Sequence, residues 1–231
     1  RDFCLSRGLG DVYKRQTEYG FDAPGCRENL KTVPSVYHRL EKLMDDIPKI
    51  QEYQYRLLKY YTEHYRIQKY EPCSGYVQFM FIDLCPQSFY GLYDWWGIPK
   101  KGLQAMLESN APVGVFAKHK DYLDSLYIVN DTHEDLGQCE LTWIITEAFS
   151  GNLVEKGTVT AEIQADSCIK AKEFESGYGK EQKWNLTLIL SDYDGKCIAK
   201  NTYQDICTLL SRVDGHPERM SHEFGMRLYW A

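Results

Sequence analysis

The chain has 231 residues with 33 acidic against 27 basic side chains, a net charge of −6. That length corresponds to one or two domains, and with 43% hydrophobic and 26% charged residues it excludes a chain that is disordered as a whole. The acidic balance argues against nucleic acid as the main partner, since phosphate binding requires a basic patch. The longest apolar run, 76–84, is about half of the ~18 residues that a membrane helix needs, so no membrane span is expected.

Residues 1–16, RDFCLSRGLGDVYKRQ, stand apart from the rest of the chain. Asp11, Val12, Tyr13, Lys14, Arg15 and Gln16 are what GATGTGTATAAGAGACAG encodes, and that DNA resembles the transposon end of sequencing-library adapters. On this reading 1–16 is an adapter-derived artefact, set aside before any fold reasoning, and it lacks the apolar stretch of a signal peptide. The reading frame would then have been cut at Thr17, with the natural protein beginning upstream. Removing Arg1, Arg7, Lys14 and Arg15 together with Asp2 and Asp11 moves the net charge from −6 to −8.

Residues 17–23 form a short segment closed by the turn signal Pro24-Gly25. The stretch 30–47 is mixed, with Pro34 and Pro48 as boundaries. A helix is predicted over 50–70, because Ile50, Tyr53, Leu57, Leu58, Tyr61 and Tyr65 recur at helical spacing. Glu52, Arg56, Lys59, Glu63 and Arg66 lie largely off that face, and Pro72 stops the helix. Then comes YVQFMFIDL, residues 76–84, a nearly continuous apolar run that suits a parallel strand buried on both faces. Asp83 would sit at its C-terminal end. A further helix over 100–109 starts after Pro99, with Leu103, Met106 and Leu107 on one side. Helix and strand in this order point to an α/β architecture.

Beyond Pro112 the texture is β. The runs 113–118 and 123–130 are β-rich, and Cys139, Leu141, Trp143 and Ile145 alternate with polar residues, as do Trp184, Leu186, Leu188 and Leu190. Gly151-Asn152 and Asp194-Gly195 are turn signals. Short strands spaced over about 120 residues predict a β-sandwich. Outside the first sixteen residues there are seven cysteines, Cys26, Cys73, Cys85, Cys139, Cys168, Cys197 and Cys207. An odd number without a CxxC pair argues against a zinc ribbon and a full disulfide framework, so they are read as reduced and mostly buried, as in a cytoplasmic protein. No HExxH or His pair at i, i+4 occurs, and neither a metal nor a cofactor is expected.

Two segments resemble glycoside hydrolase family 2. Thr17-Glu18-Tyr19-Gly20 is similar to the Ser/Thr-Glu-Phe/Tyr-Gly motif at the end of the family's seventh barrel strand, whose Glu is the catalytic nucleophile. The stretch from Gly75 to Pro86, continued by Tyr93-Asp94-Trp95-Trp96-Gly97-Ile98-Pro99-Lys100, resembles the eighth strand and the Tyr-Asp-Tyr-Tyr-x-x-Pro-Lys segment after it. Within strand eight the family often carries Trp-x-x-Asn-Asp-x-Trp-Pro; here Phe79, Ile82 and Cys85 replace the Trp, Asn and second Trp, while Asp83 and Pro86 are kept.

The resemblance implies residues 17–111 as the last two strand–helix units of a (β/α)8 TIM barrel and 112–231 as an immunoglobulin-like β-sandwich. It implies a retaining exo-β-glycosidase with a carbohydrate substrate, galactoside, glucuronide or mannoside, leaning toward the mannosidase-like or glucosaminidase-like branch. Glu18 would be the nucleophile; Tyr19, Phe79 and Asp83 would contact the sugar, the plain alternatives being packing for Tyr19 and Phe79 and, for Asp83, a structural carboxylate accepting backbone N–H bonds at a strand end. The acid/base Glu, which comes after an Asn on the fourth strand, has no Asn-Glu counterpart in this chain. The chain alone is therefore expected to be inactive. A non-catalytic relative that binds glycan or serves as a scaffold is the competing reading.

Overall fold

The computed structural model describes residues 15–70, 73–175, 178–179 and 181–207, with side chains from Tyr19 onward. Most of the segment 1–16, the side chain of Glu18 and the last part of the expected sandwich, 208–231, lie outside the described residues. The chain divides between Ser109 and Asn110 into two compact units.

In the first unit, β1 (Arg15–Tyr19) pairs in parallel with β3 (Gly75–Gln78), with Arg15 opposite Gly75 and Tyr19 opposite Gln78. Two of the residues set aside as adapter-derived, Arg15 and Gln16, thus extend a strand; a backbone ladder makes no demand on side-chain identity. The short strands β2 (Ala23–Pro24) and β4 (Ser88–Phe89) pair antiparallel. Helices α1 (Arg27–Leu30) and α2 (Pro34–Leu40) precede the long α3 (Ile47–Arg66), and α4 (Lys101–Ser109) closes the unit.

Helix α3 buries Ile47, Ile50, Leu57 and Leu58, close to the periodic face expected for it. It starts three residues earlier than predicted because Pro48 sits in its first turn, where a missing N–H breaks no helical hydrogen bond. Leu58, Leu92, Ala105 and Tyr19 form one cluster, flanked by Tyr61, Tyr65 and Tyr76. The tyrosine rings meet edge to face between Tyr19 and Tyr65, at 5.2 Å, and stacked between Tyr65 and Tyr76, at 5.7 Å. Tyr19 is buried, and Tyr61, Tyr65 and Tyr76 are partly buried around it. A second cluster gathers Leu30, Val36, Leu40, Met44 and Ile47, with Trp96 packed against it.

Three expectations fail in this unit. Lys59, Glu63 and Arg66, read as lying off the inward face of α3, are buried, with Lys59 paired to Glu63 at 3.1 Å. The apolar run 76–84 is not one buried strand. Regular structure ends at Gln78, and Phe81 and Leu84 are 67% and 66% exposed, with Val77, Phe79 and Ile82 also on the surface. Among the described strands β3 pairs only with β1, and within the segment only Met80 and Asp83 are buried. Leu107 is likewise exposed: α4 turns the small residues Gly102, Ala105 and Ser109 inward, which lets it lie close against α3, and leaves Leu107 on the far flank.

The second unit holds β5 (Val113–His119), β6 (Leu123–Asn130), β7 (Gly137–Glu147), β8 (Leu153–Ile163), β9 (Ser167–Glu173), β10 (Trp184–Ser191) and β11 (Cys197–Ile206). A four-stranded sheet, β11-β10-β7-β8, and a three-stranded sheet, β5-β6-β9, are both antiparallel. Their inner faces share one core: Leu141, Ile145, Leu186 and Leu188 come from the first, and Val115, Leu126 and Ile128 from the second. The alternation read in β7 and β10 is the alternation of burial observed. Gly151 and Gly195 take positive φ in the two turns that the sequence marked. Strands β8, β9 and β11 carry no such signal, because each is an edge strand with few fully buried side chains. The seven cysteines of the described residues are all unbridged.

Leu58→Ala should cost about 2–5 kcal/mol, the range for a buried leucine, whereas Leu107→Ala should change stability by less than about 0.5 kcal/mol. Chemical denaturation of the two variants beside the parent chain measures the contrast.

Candidate functional site

The two segments that carry the family resemblance meet at the C-terminal ends of β1 and β3. The Phe79 N–H donates to the Tyr19 carbonyl at 2.8 Å, which continues the parallel pairing by one bond. Gly20 then passes so close that a Cβ there would lie 2.0 Å from the Phe79 carbonyl oxygen. The fourth position of Thr17-Glu18-Tyr19-Gly20 therefore tolerates only glycine. Glu18 is the penultimate residue of β1.

Phe79 is 38% exposed and meets Tyr90 at 6.2 Å between ring centroids. It is at the surface rather than in a core. Tyr19 has the opposite placement. Its ring is buried, its hydroxyl lies 2.5 Å from the Thr62 hydroxyl, and it also reaches the Met106 sulfur at 3.6 Å. Burial pushes its phenol well above the ordinary tyrosine value. Tyr19 thus packs beneath α3 and α4.

Asp83 is buried and both its carboxylate oxygens are engaged. Oδ1 accepts from the Gly91 N–H at 2.8 Å, and Oδ2 lies 2.6 Å from Lys100 Nζ. The same ammonium donates to the carbonyls of Ala23, at 2.7 Å, and Phe89, at 3.0 Å. One buried cation thus joins the start of β2, the end of β4 and the segment after β3. Burial raises the Asp83 carboxyl and lowers the Lys100 ammonium from their ordinary values, and their mutual attraction opposes both shifts. Of the two readings of Asp83, a sugar contact and a structural carboxylate accepting backbone N–H bonds, these contacts are those of the second.

Asp94 acts in parallel. Its Oδ1 accepts from the N–H groups of Trp96, at 3.0 Å, and Ile98, at 2.8 Å, while Oδ2 accepts from Cys26 N–H at 2.9 Å. The segment 93–100 thus owes its sequence pattern partly to two buried charges, Asp94 and Lys100, to which sequence reasoning assigned no role. Asp22 was also missed. It is buried, four residues past Glu18, and Oδ1 has no hydrogen-bond partner among the described residues. Burial pushes its carboxyl up to about 6; Lys100 draws it back down and Asp83 adds to the rise. No grouping of three or more His, Cys, Asp or Glu side chains suited to a metal occurs among the described residues. No described helix is long and apolar enough to cross a membrane.

No protein-family profile matches the sequence, and no curated protein matches it. Among solved structures, the chain resembles a β-D-mannosidase from Dictyoglomus thermophilum, at 20% identity and TM-score 0.68, over 83% of this chain and 27% of that one. It also resembles the exo-chitosanase CsxA of Amycolatopsis orientalis in complex with PNP-β-D-glucosamine, at 15% identity and TM-score 0.68, over 87% of this chain and 28% of that one. The chain has the fold of the corresponding part of these glycosidases and spans about a quarter of their length, 27% and 28%.

Lys100→Met leaves Asp83 as an unpaired buried charge and strands two carbonyls, and should cost about 3–5 kcal/mol. Loss of hydrogen-exchange protection at the Gly91 amide is the local readout. Asp22 contributes in the opposite sense. Its folded-state pKa of about 6 lies above the ordinary carboxylate value of 3.8, so the folded state keeps the proton longer. Stability therefore declines as pH rises through that window, and the full penalty is present above it. Asp22→Asn should flatten this decline and gain on the order of 2–3 kcal/mol at pH 7. Denaturation midpoints measured from pH 4 to 7 test it.

Proposed function

We propose that this chain is the C-terminal part of a retaining exo-β-glycosidase, comprising the last two strand–helix units of a (β/α)8 barrel and an immunoglobulin-like β-sandwich. The observation that carries the reading is the parallel pairing of β1 with β3. It brings the end of the Thr-Glu-Tyr-Gly motif beside Phe79 at adjacent strand ends, the side of a barrel on which active sites are built. The exposed apolar side chains of 77–84 support it too, since a surface patch of this kind is what neighbouring barrel strands would cover.

In this reading Glu18 attacks the anomeric carbon and forms a glycosyl-enzyme. A second carboxyl group, about 5–5.5 Å away, protonates the leaving oxygen and then activates water. That second group would come from an Asn-Glu upstream of Thr17. Phe79, partly exposed, offers an apolar platform for one face of the sugar. Asp83 and Lys100 contribute by holding the loops around the strand ends. The mannosidase and exo-chitosanase neighbours favour a β-linked mannoside or glucosaminide as substrate. The alternative, a non-catalytic glycan-binding relative, is favoured by one observation: neither Tyr19 nor Asp83 presents a free polar group to a sugar.

The purified 231-residue chain should show no turnover of aryl β-glycosides. In a protein that restores the region before Thr17, a 2-deoxy-2-fluoro glycoside should label Glu18, as read by peptide mass spectrometry, and Glu18→Gln should lower kcat by at least about 1,000-fold. Labelling of another carboxylate, or an unimpaired Glu18→Gln variant, would sink the assignment.

A further inference from the structure

The second unit carries a groove that the glycosidase chemistry at the ends of β1 and β3 does not use. It has a volume of about 600 Å³, within the about 300–1,000 Å³ usual for ligand sites, and opens between the edge strands of the two sheets. Strand β8 supplies Glu155, β9 supplies Lys172, the segment leading into β10 supplies Tyr178 and Gln182, and β10 itself begins with Trp184. The walls are preorganised. Glu155 accepts from Trp143 Nε1 at 2.8 Å through one oxygen and from the Tyr178 hydroxyl through the other. Phe174, Tyr178 and Trp184 stand edge to face in succession, with centroids 5.7 and 5.5 Å apart. The Lys172 ammonium is held over the rings of Trp143 and Phe174, at 5.7 and 5.3 Å.

Two groups are left unspent. Trp184, 8% exposed, lines the groove, and its buried indole N–H has no acceptor among the described residues. Glu175, exposed at the rim, has no ion-pair or hydrogen-bond partner among the described residues. The half-buried Tyr178 ring, beside the exposed carboxylates of Glu173 and Glu175 and the Gln182 amide, matches a pyranose, which offers a C–H face and a rim of hydroxyls. Charge selects further: residues 110–207 hold 16 acidic and 9 basic side chains, so an anionic sugar is repelled.

We propose that this groove is a glycan-binding site separate from the strand ends of the first unit, taking neutral or amino-substituted sugars and rejecting uronic acids. The proposal does not depend on the chain's catalytic reading.

The test uses the full 231-residue chain, nitrogen-15 labelled, titrated with a glucosamine disaccharide, cellobiose, digalacturonate and tetralysine. The expected result is a saturable shift of the Trp184 indole resonance with the glucosamine disaccharide, matched or approached by cellobiose, and at least tenfold weaker binding of digalacturonate. Glu175→Lys and Gln182→Ala, both at exposed positions, should each weaken the sugar titration at least threefold while leaving the remaining spectrum in place. The proposal is overturned if no sugar moves that resonance at millimolar concentration, if digalacturonate binds most tightly, if tetralysine alone binds, or if neither variant changes the titration.

Discussion

The first unit depends on one buried ammonium. Between Gln78 and Lys101 the chain has little regular structure, so few of its backbone groups are paired by a ladder. Lys100 compensates by donating at once to Ala23 and Phe89 and by facing Asp83. Taking an ammonium and a carboxylate out of water is costly, and the arrangement holds only because each remaining polar atom of the pair has a partner. Asp94 repeats the device nearby, with three backbone N–H groups on one carboxylate. The loops at the strand ends are therefore set by charge rather than by apolar packing.

The second unit solves a different problem. Its two sheets share a core of aliphatic side chains, but the sheets are also tied by polar bonds across it. Asn201 on β11 donates to the Val115 carbonyl on β5 at 2.9 Å, and the Tyr203 hydroxyl accepts from the Ala117 N–H at 3.0 Å. Asn201 also donates to that hydroxyl, at 2.8 Å, which closes a small buried network. Apolar packing is non-directional, whereas these bonds fix how one sheet is offset against the other.

The extent to which the sequence could be read depends on this division. Where burial alone decides, as in β7 and β10, periodicity located the element and its inward face; in α3 it located the helix but not the burial of Lys59, Glu63 and Arg66, whose charge is satisfied locally. It failed at 79–84, because an apolar run reports how hydrophobic a segment is and not whether anything covers it. It failed at Leu107 because the packing face of α4 is made of glycine, alanine and serine, which carry little hydrophobic signal. At the candidate site, a motif brought Glu18, Phe79 and Asp83 to notice, and the structure sets Phe79 beside the end of β1. Asp22 had no such signal: its burial arises from contacts far along the chain, which no local pattern reports.

The close passage at Gly20 changes what a motif of this kind records. With the Phe79 carbonyl 2.0 Å from where a Cβ would stand, the glycine is dictated by backbone clearance and not by chemistry at the neighbouring glutamate. A descendant that had lost its nucleophile would face the same clearance and keep the glycine. Recognition by the four letters together thus mixes a steric requirement with a catalytic one, and only the second position speaks to reactivity.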